Sequence, residues 1–229
     1  MHVLSMDWRD VCFASWPVEP AAVARTLPDG LAVDTYEGDA YLSVVPFVMG
    51  DVRPPGWPRA LAPTFGELNL RTYVTAESGD RAIYFYNLDA SGAIGIPLAR
   101  TFFRIPYYHA DIDVSRVSDS GLHFRSTRTH EGVPSCEFDA TITPGAERVT
   151  PESGSLESFL VERYRFYTRG LGGLWYGDIE HDPWTLTDAT LDVRRNDLFD
   201  ANGFDDPDST PHVAHSRGVE VDAHHLRRL

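Results

Sequence analysis

The chain has 229 residues and not one lysine: twenty arginines stand against thirty-four carboxylates, twenty-two of them Asp, for a formal charge of -14. Without lysine no side chain can form an imine with a carbonyl compound, because guanidinium neither deprotonates usefully nor attacks a carbonyl. The acidic balance argues equally against nucleic acid and anionic membranes as partners, since both require a basic surface.

A high-salt cytoplasm would screen the self-repulsion of so acidic a chain. A GC-rich genome also accounts for the missing lysine, but less well for the excess of Asp. Cys12 and Cys136, each among apolar neighbours, are expected as buried thiols. No apolar run is long enough to span a bilayer, and residues 1–9 lack the basic start and apolar core of a signal peptide. The expectation is a cytoplasmic protein of one domain spanning residues 1–229.

In chain order, residues 9–16 predict a strand and 20–27 a short helix opened by proline and ended before Pro28-Asp29-Gly30. Residues 31–36 and 40–48 flank Glu37-Gly38-Asp39 and predict a hairpin. The proline-rich stretch 50–63 predicts an ordered loop with Trp57 and Leu61 as anchors. Residues 65–75 and 82–89 form a strand pair around 77–80, while Gly92, Gly95 and Pro97 leave only short helical pieces within 91–103. A hairpin over 107–117 and 122–128 precedes a strand at 136–142. Ser155 caps a short amphipathic helix carrying Leu156, Phe159 and Leu160. Strands follow at 164–168, 174–180 and 185–193, then a helical turn at 196–201, a loop at 205–211 and a short edge strand at 218–221. The pattern is mainly β, a β-rich α+β fold with largely antiparallel strands and a few short helices.

Most of the chemistry lies in Phe65-Gly66-Glu67-Leu68-Asn69-Leu70-Arg71-Thr72-Tyr73-Val74. Strand alternation puts Phe65, Glu67, Asn69, Arg71 and Tyr73 on one face and Leu68, Leu70 and Val74 on the other. On an outer strand Glu67 and Arg71 would face water and contribute little. On the inner wall of a barrel they would line a cavity with an acid, an amide and a guanidinium. The alternation by itself leaves both arrangements open.

A second strand places Tyr107, His109, Asp111 and Asp113 on one face. His109 there is either a proton carrier oriented by an acid or a partly buried structural histidine. Trp175 and His181 share a face in the same ambiguous way, opposite Tyr176, Asp178 and Glu180. His212, His215, His224 and His225 lack metal-ligand spacing, Gly170-Leu171-Gly172-Gly173 is no phosphate fingerprint, and no GxSxG motif occurs. Neither a metal nor another cofactor is expected.

Several stretches together resemble the YqjF-like family DUF2071. They are Ala14-Ser15-Trp16-Pro17-Val18, Leu27-Pro28-Asp29-Gly30-Leu31, Ala40-Tyr41-Leu42-Ser43-Val44-Val45-Pro46-Phe47, the segment 65–74, Tyr84-Phe85-Tyr86-Asn87-Leu88-Asp89 and Pro106-Tyr107-Tyr108-His109-Ala110. Glu162-Arg163-Tyr164-Arg165-Phe166-Tyr167 and His181-Asp182-Pro183-Trp184-Thr185-Leu186 extend the resemblance to nearly the whole chain. It rests on the number and order of these stretches, none of which is diagnostic alone.

The resemblance implies a relative of the acetoacetate decarboxylase fold, an antiparallel β barrel or cone around a small-molecule pocket. In that decarboxylase a lysine in a Gly-aromatic-Pro-Lys context forms the imine, with an acid and an arginine close by. Gly95-Ile96-Pro97-Leu98 is similar to that context and would put Leu98 where the amine is needed. Strand alternation and the resemblance together give Glu67 and His109 as candidate catalytic groups and Asn69, Arg71, Tyr73, Tyr86 and Leu98 as candidate ligand-binding groups. Arg71 would clamp a small anionic or carbonyl-bearing organic molecule, with Asn69 and Tyr73 orienting it. Two alternatives stand beside simple binding. One is a lysine-independent acid–base enzyme (lyase, isomerase or hydrolase) using Glu67 or His109 with Arg71. The other is a structural module, with a homo-oligomer left open, whose own aromatic side chains fill the cavity.

Overall fold

In the first third of the chain, apolar residues recur on both sides of three strands, a pattern that a wall buried on both faces satisfies. The computed structural model describes residues 2–91, 107–118, 121–170 and 173–229. Its strands are β1 (Leu4–Val18), β2 (Leu31–Val33), β3 (Ala40–Arg53), β4 (Phe65–Ala76), β5 (Arg81–Ala90), β6 (Tyr107–Arg116) and β7 (Leu122–Arg128). They continue with β8 (Glu137–Pro144), β9 (Arg165–Gly170), β10 (Gly173–His181), β11 (Thr187–Asn196), β12 (His212–Ala223) and β13 (Arg227–Arg228). Three short helices, α1 (Pro20–Ala24), α2 (Leu156–Val161) and α3 (Leu198–Ala201), and a 3-10 turn at Arg59–Leu61 complete the described elements.

Nine strands close on themselves in the order β5-β6-β7-β8-β11-β12-β1-β3-β4, the ring being sealed by the β4–β5 pairing. The β9–β10 hairpin makes a second circuit by pairing in parallel with β5 and antiparallel with β12. Strands β1, β3 and β4 belong to both circuits and separate two cores. Phe13, Val45, Phe47 and Tyr73 face the first core, where they meet Phe159 and Leu160 of α2, Phe166 and Trp184. Cys12, Ala14, Leu42, Val44, Leu68 and Leu70 face the second, with Phe124, Phe138, Ile142 and Leu198. Burial on both sides is why every residue of β4 from Phe65 to Val74 is inaccessible.

Local irregularities set the registers. Asp10 adopts a left-handed conformation (φ 50°) inside the register shift between Arg9 and Ala14 of β1, a role that Asp tolerates better than most residues. Across β4 and β5, Leu70 pairs with Asn87 and Arg71 with Phe85, which leaves Tyr86 as the extra residue of a bulge. The bulge lets Phe85 and Leu88 both reach the first core despite their odd spacing. Gly66 permits a close approach, since a Cβ there would lie 2.4 Å from Cγ2 of Ile112 on β6.

The described structure agrees with the predicted helix start at Ser155, whose Oγ accepts a hydrogen bond from the backbone N–H of Ser158 at 3.2 Å. Three expectations are corrected. The 31–36/40–48 hairpin does not form: β2 pairs with β4, and only a Tyr36–Asp39 bridge survives at the turn. Trp57 and Leu61 are no anchors, being 58% and 69% exposed. The short edge strand at 218–221 lies inside the twelve-residue β12, which pairs with β1, β10 and β11. Its polar members, among them His215, Ser216 and Arg217, obscured the period that marks a strand. The helical pieces expected in 91–103 fall, from Gly92 onward, outside the described residues. Among the described residues no helix is long and apolar enough to cross a membrane.

Candidate functional site

Three polar side chains stand side by side on the first-core face of β4, almost without solvent contact: Glu67 is 2%, Asn69 4% and Arg71 5% exposed. Their cross-strand partners on β3 are Phe47, Val45 and Ser43. Glu67 accepts a hydrogen bond from the Tyr107 hydroxyl at 3.0 Å. Burial pushes the Glu67 carboxyl up to about 8, against the opposing pull of its hydrogen bonds to Tyr107 and Asn69. The desolvation of a charge in apolar surroundings is the larger effect.

Arg71 is not held by Glu67 or by any other carboxylate among the described residues. Its Nη2 donates to the carbonyl of Leu160, at the end of α2, at 2.9 Å. Its guanidinium lies 5.2 Å from the Phe13 ring centre and 5.8 Å from that of Tyr73, so aromatic faces supply part of the missing counter-charge. Arg71 Nε and Asn69 Oδ1 are both buried without a hydrogen-bond partner. Each such group costs about 1–3 kcal/mol and normally finds an acceptor or donor.

A series of aromatic rings links the neighbour of Arg71 to that of Glu67. Phe13 meets Trp184 edge-on at 5.0 Å, Trp184 stacks with Trp8 at 6.2 Å, and Trp8 lies 5.6 Å from Phe47. Phe47 in turn faces Glu67 across the β3–β4 ladder. The indole nitrogens of Trp8 and Trp184 are buried and unpaired as well. His181 borders this series, 5.2 Å from Trp184 and stacked on Tyr164 at 4.6 Å. Its Nδ1 donates to the Asp182 carbonyl at 2.8 Å, and burial lowers its pKa. Sequence reasoning did not single out Trp8, Phe13, Phe47 or Trp184 as site residues. The series is assembled from β1, β3 and the segment after β10, with no local spacing to announce it.

The remaining expected site residues are dispersed. Tyr73 joins the site through its ring, while its hydroxyl is bonded to Ser43 Oγ at 2.7 Å, and Ser43 to Ser15 at 2.7 Å. His109 is exposed and its ring stacks on His130 at 5.6 Å. Glu67 pairs laterally with Ala90 and Ala90 with His109, so two strand spacings, roughly 10 Å, separate their backbone positions. The expected common face of Tyr107 and His109 is real, but β6 leaves the first core immediately after Tyr107. His109 therefore does not join Glu67. Nor does Tyr86: the β5 bulge turns it away from Arg71, and it packs on Tyr84 and Phe204 with its hydroxyl 2.7 Å from Thr26 Oγ1. Leu98 lies outside the described residues. Among the described residues no His, Cys, Asp and Glu cluster could hold a metal ion. Cys12 and Cys136 are free and buried, and burial pushes both thiols up to about 12.

A closed, mostly antiparallel barrel, with three short helices among the described residues and one wall buried on both faces, defines an acetoacetate decarboxylase-like fold. Acetoacetate decarboxylase from Legionella pneumophila superposes with a TM-score of 0.67 at 11% identity, covering 99% of this chain and 87% of that one. The enduracididine biosynthesis enzyme MppR, in its complex with pyruvate, superposes with a TM-score of 0.70 at 15% identity, covering 99% of this chain and 90% of that one. At such identities the likeness is one of fold.

The chain itself belongs to the DUF2071 family, described as an uncharacterized conserved protein, whose family model matches residues 5–220. YqjF of Bacillus subtilis, an uncharacterized protein, is 37% identical over 222 residues, which is 96% of this chain and 89% of that protein.

Proposed function

We propose that the protein binds a small anionic or carbonyl-bearing organic molecule against the first-core face of β4. The observation that carries this reading is Arg71: a buried guanidinium without a carboxylate partner among the described residues, its Nε unsatisfied beside an equally unsatisfied Asn69 Oδ1. A carboxylate or enolate oxygen on Arg71 would remove both the missing counter-charge and the orphaned donor. A ligand N–H or O–H would do the same for Asn69. An imine to a side chain of this sequence plays no part, because there is no lysine. The fold neighbour complexed with pyruvate makes a short 2-oxo acid the natural first probe.

The test is calorimetric titration with pyruvate. Saturable binding is expected in the wild type and at least about tenfold weaker binding in Arg71→Met, the loss associated with one charge-assisted contact. Unchanged affinity in the variant would remove Arg71 as the anchor. Absence of binding across a set of short oxo acids would leave a structural role in its place.

A second reading, acid–base catalysis, is favoured by the state of Glu67. The carboxyl is not neutralised by Arg71 and is pushed up to about 8, near neutrality, where a proton carrier works well. In this reading the Glu67 carboxylate takes a proton from the carbon beside a bound carbonyl. The electron pair moves onto the carbonyl oxygen, and Arg71 stabilises the resulting enolate. Exchange of the pyruvate methyl protons in D2O, followed by NMR, reads this step directly. Exchange in the wild type that is lost in Glu67→Gln supports catalysis; no exchange in the wild type leaves binding alone.

A further inference from the structure

We propose that residues 54–62 are a docking element for a second copy of this chain, seated in that copy's cleft between the start of α2 and the first residues of β12. No residue of the Arg71 site takes part.

The stretch has the composition of a contact surface. From Val52 to Gly66 there is no acidic residue, in a chain that carries thirty-four. Residues 55–61 are all exposed, Trp57, Arg59 and Leu61 among them. Tryptophan and arginine grouped on an exposed apolar patch are the side chains that most often dominate protein interfaces. The tip is also held in shape. The backbone N–H groups of Trp57, Leu61 and Ala62 donate to the carbonyls of Pro54, Pro58 and Arg59 at 3.2, 3.1 and 3.0 Å. Arg59 Nε ties the tip to Asp51 at 2.6 Å, and Pro54, Pro55 and Pro58 fix their own φ angles. A surface already ordered loses little freedom on docking.

A cleft of about 480 Å3 offers the complementary surface. Val149, Leu186 and Ala214 form its apolar part, Glu152, Glu157 and Asp188 its charged part, and no arginine among the described residues lines it. An apolar tip bearing a cation thus matches an apolar cleft bearing acids, in area and in charge. Two copies of so acidic a chain repel each other over most of their surfaces, and tip against cleft locally reverses that repulsion. The contact does not form within one chain. Arg59 lies beside Glu220 at 3.7 Å, six residues along β12 from Ala214, which is about 20 Å of extended strand. Each copy carries both halves, so the second copy supplies what the first exposes.

The test is the mass in solution by light scattering at about 1 M KCl, where repulsion between copies is screened. The wild type is expected above the 25.6 kDa of one chain. Trp57→Ser and Val149→Arg, both at exposed positions, should each weaken association at least about tenfold. Asp188→Arg, which reverses a charge of the cleft, serves if Val149→Arg does not fold. Mixing the tip variant with the cleft variant should restore association, because the intact tip of one meets the intact cleft of the other. In 15N-labelled wild type the assigned Trp57 indole signal should move on dilution, a readout that needs no variant. A monomeric wild type or a static Trp57 signal overturns the inference. Association that the cleft variants leave unchanged, or that mixing does not restore, overturns it equally, since the tip would then meet another surface.

Discussion

Glu67 is a carboxyl whose folded environment favours the protonated form, and this has a consequence for stability that needs no ligand. Its pKa rises from the ordinary 4.5 to about 8 on folding. Between these values the unfolded chain has lost the proton and the folded chain still holds it. Stability therefore falls as pH rises through this window, by up to about 1.4 kcal/mol per pH unit, and levels off above about 8. Glu67→Gln mimics the protonated carboxyl and keeps an acceptor for the Tyr107 hydroxyl. Urea unfolding at pH 5, 6.5 and 8 should show a decline in the wild type that is flattened in the variant, with the variant the more stable protein at pH 8. Parallel profiles would mean that Glu67 is ionised in the folded state. The neighbouring Arg71 is the converse case, a cation kept in the core by aromatic faces and one carbonyl.

Between elements, the wall of β1, β3 and β4 is fixed by contacts that alternate from side to side. Gly66 of β4 marks a close approach: an added methyl would meet Ile112 at 2.4 Å, and the clash involves the β-branched end of that side chain, which has little freedom to move. Gly66→Ala should cost about 1–3 kcal/mol in denaturant unfolding. Adding Ile112→Ala should cost less in the Gly66→Ala background than in the wild type, a non-additivity that places the clash between these two residues. Additive losses would point instead to backbone strain at position 66. On the far side of β5, Asp89 and Arg128 form a fully buried bidentate pair that ties β5 to β7. Burial still pushes Asp89 up to about 6 despite that partner, so the pair specifies an arrangement more than it adds stability.

For the whole molecule the dominant quantity is the charge of -14. Arginines on the surface pair with individual carboxylates, as Arg194 does with Asp139 and Arg165 with Asp178. The excess of acid nevertheless leaves a net repulsion that only mobile ions can screen. Raising KCl from about 0.1 M to about 2 M should raise the melting temperature by about 5 °C or more. Equal melting in both would set aside an adaptation to salt and leave codon bias as the reason for the missing lysine.

What the chain determines alone is chemical and periodic. The absence of lysine removes side-chain imine chemistry without reference to any fold, and the alternation in 65–74 puts Glu67, Asn69 and Arg71 on one side of a strand. The mainly β character and the Ser155-capped helix are equally local properties, readable because they depend on neighbours a few residues away. Tertiary structure enclosed both sides of β4 and decided what covers each, since period-two alternation defines two faces without saying what lies on them. It removed Tyr86 through a bulge and His109 through the exit of β6 from the core, both set by pairing partners far along the chain. It also brought Phe13 against Arg71 and joined Phe13 through Trp184 and Trp8 to Phe47. That series exists only because strands distant in sequence share one closed sheet, and contacts closed over such separations leave no trace in local spacing.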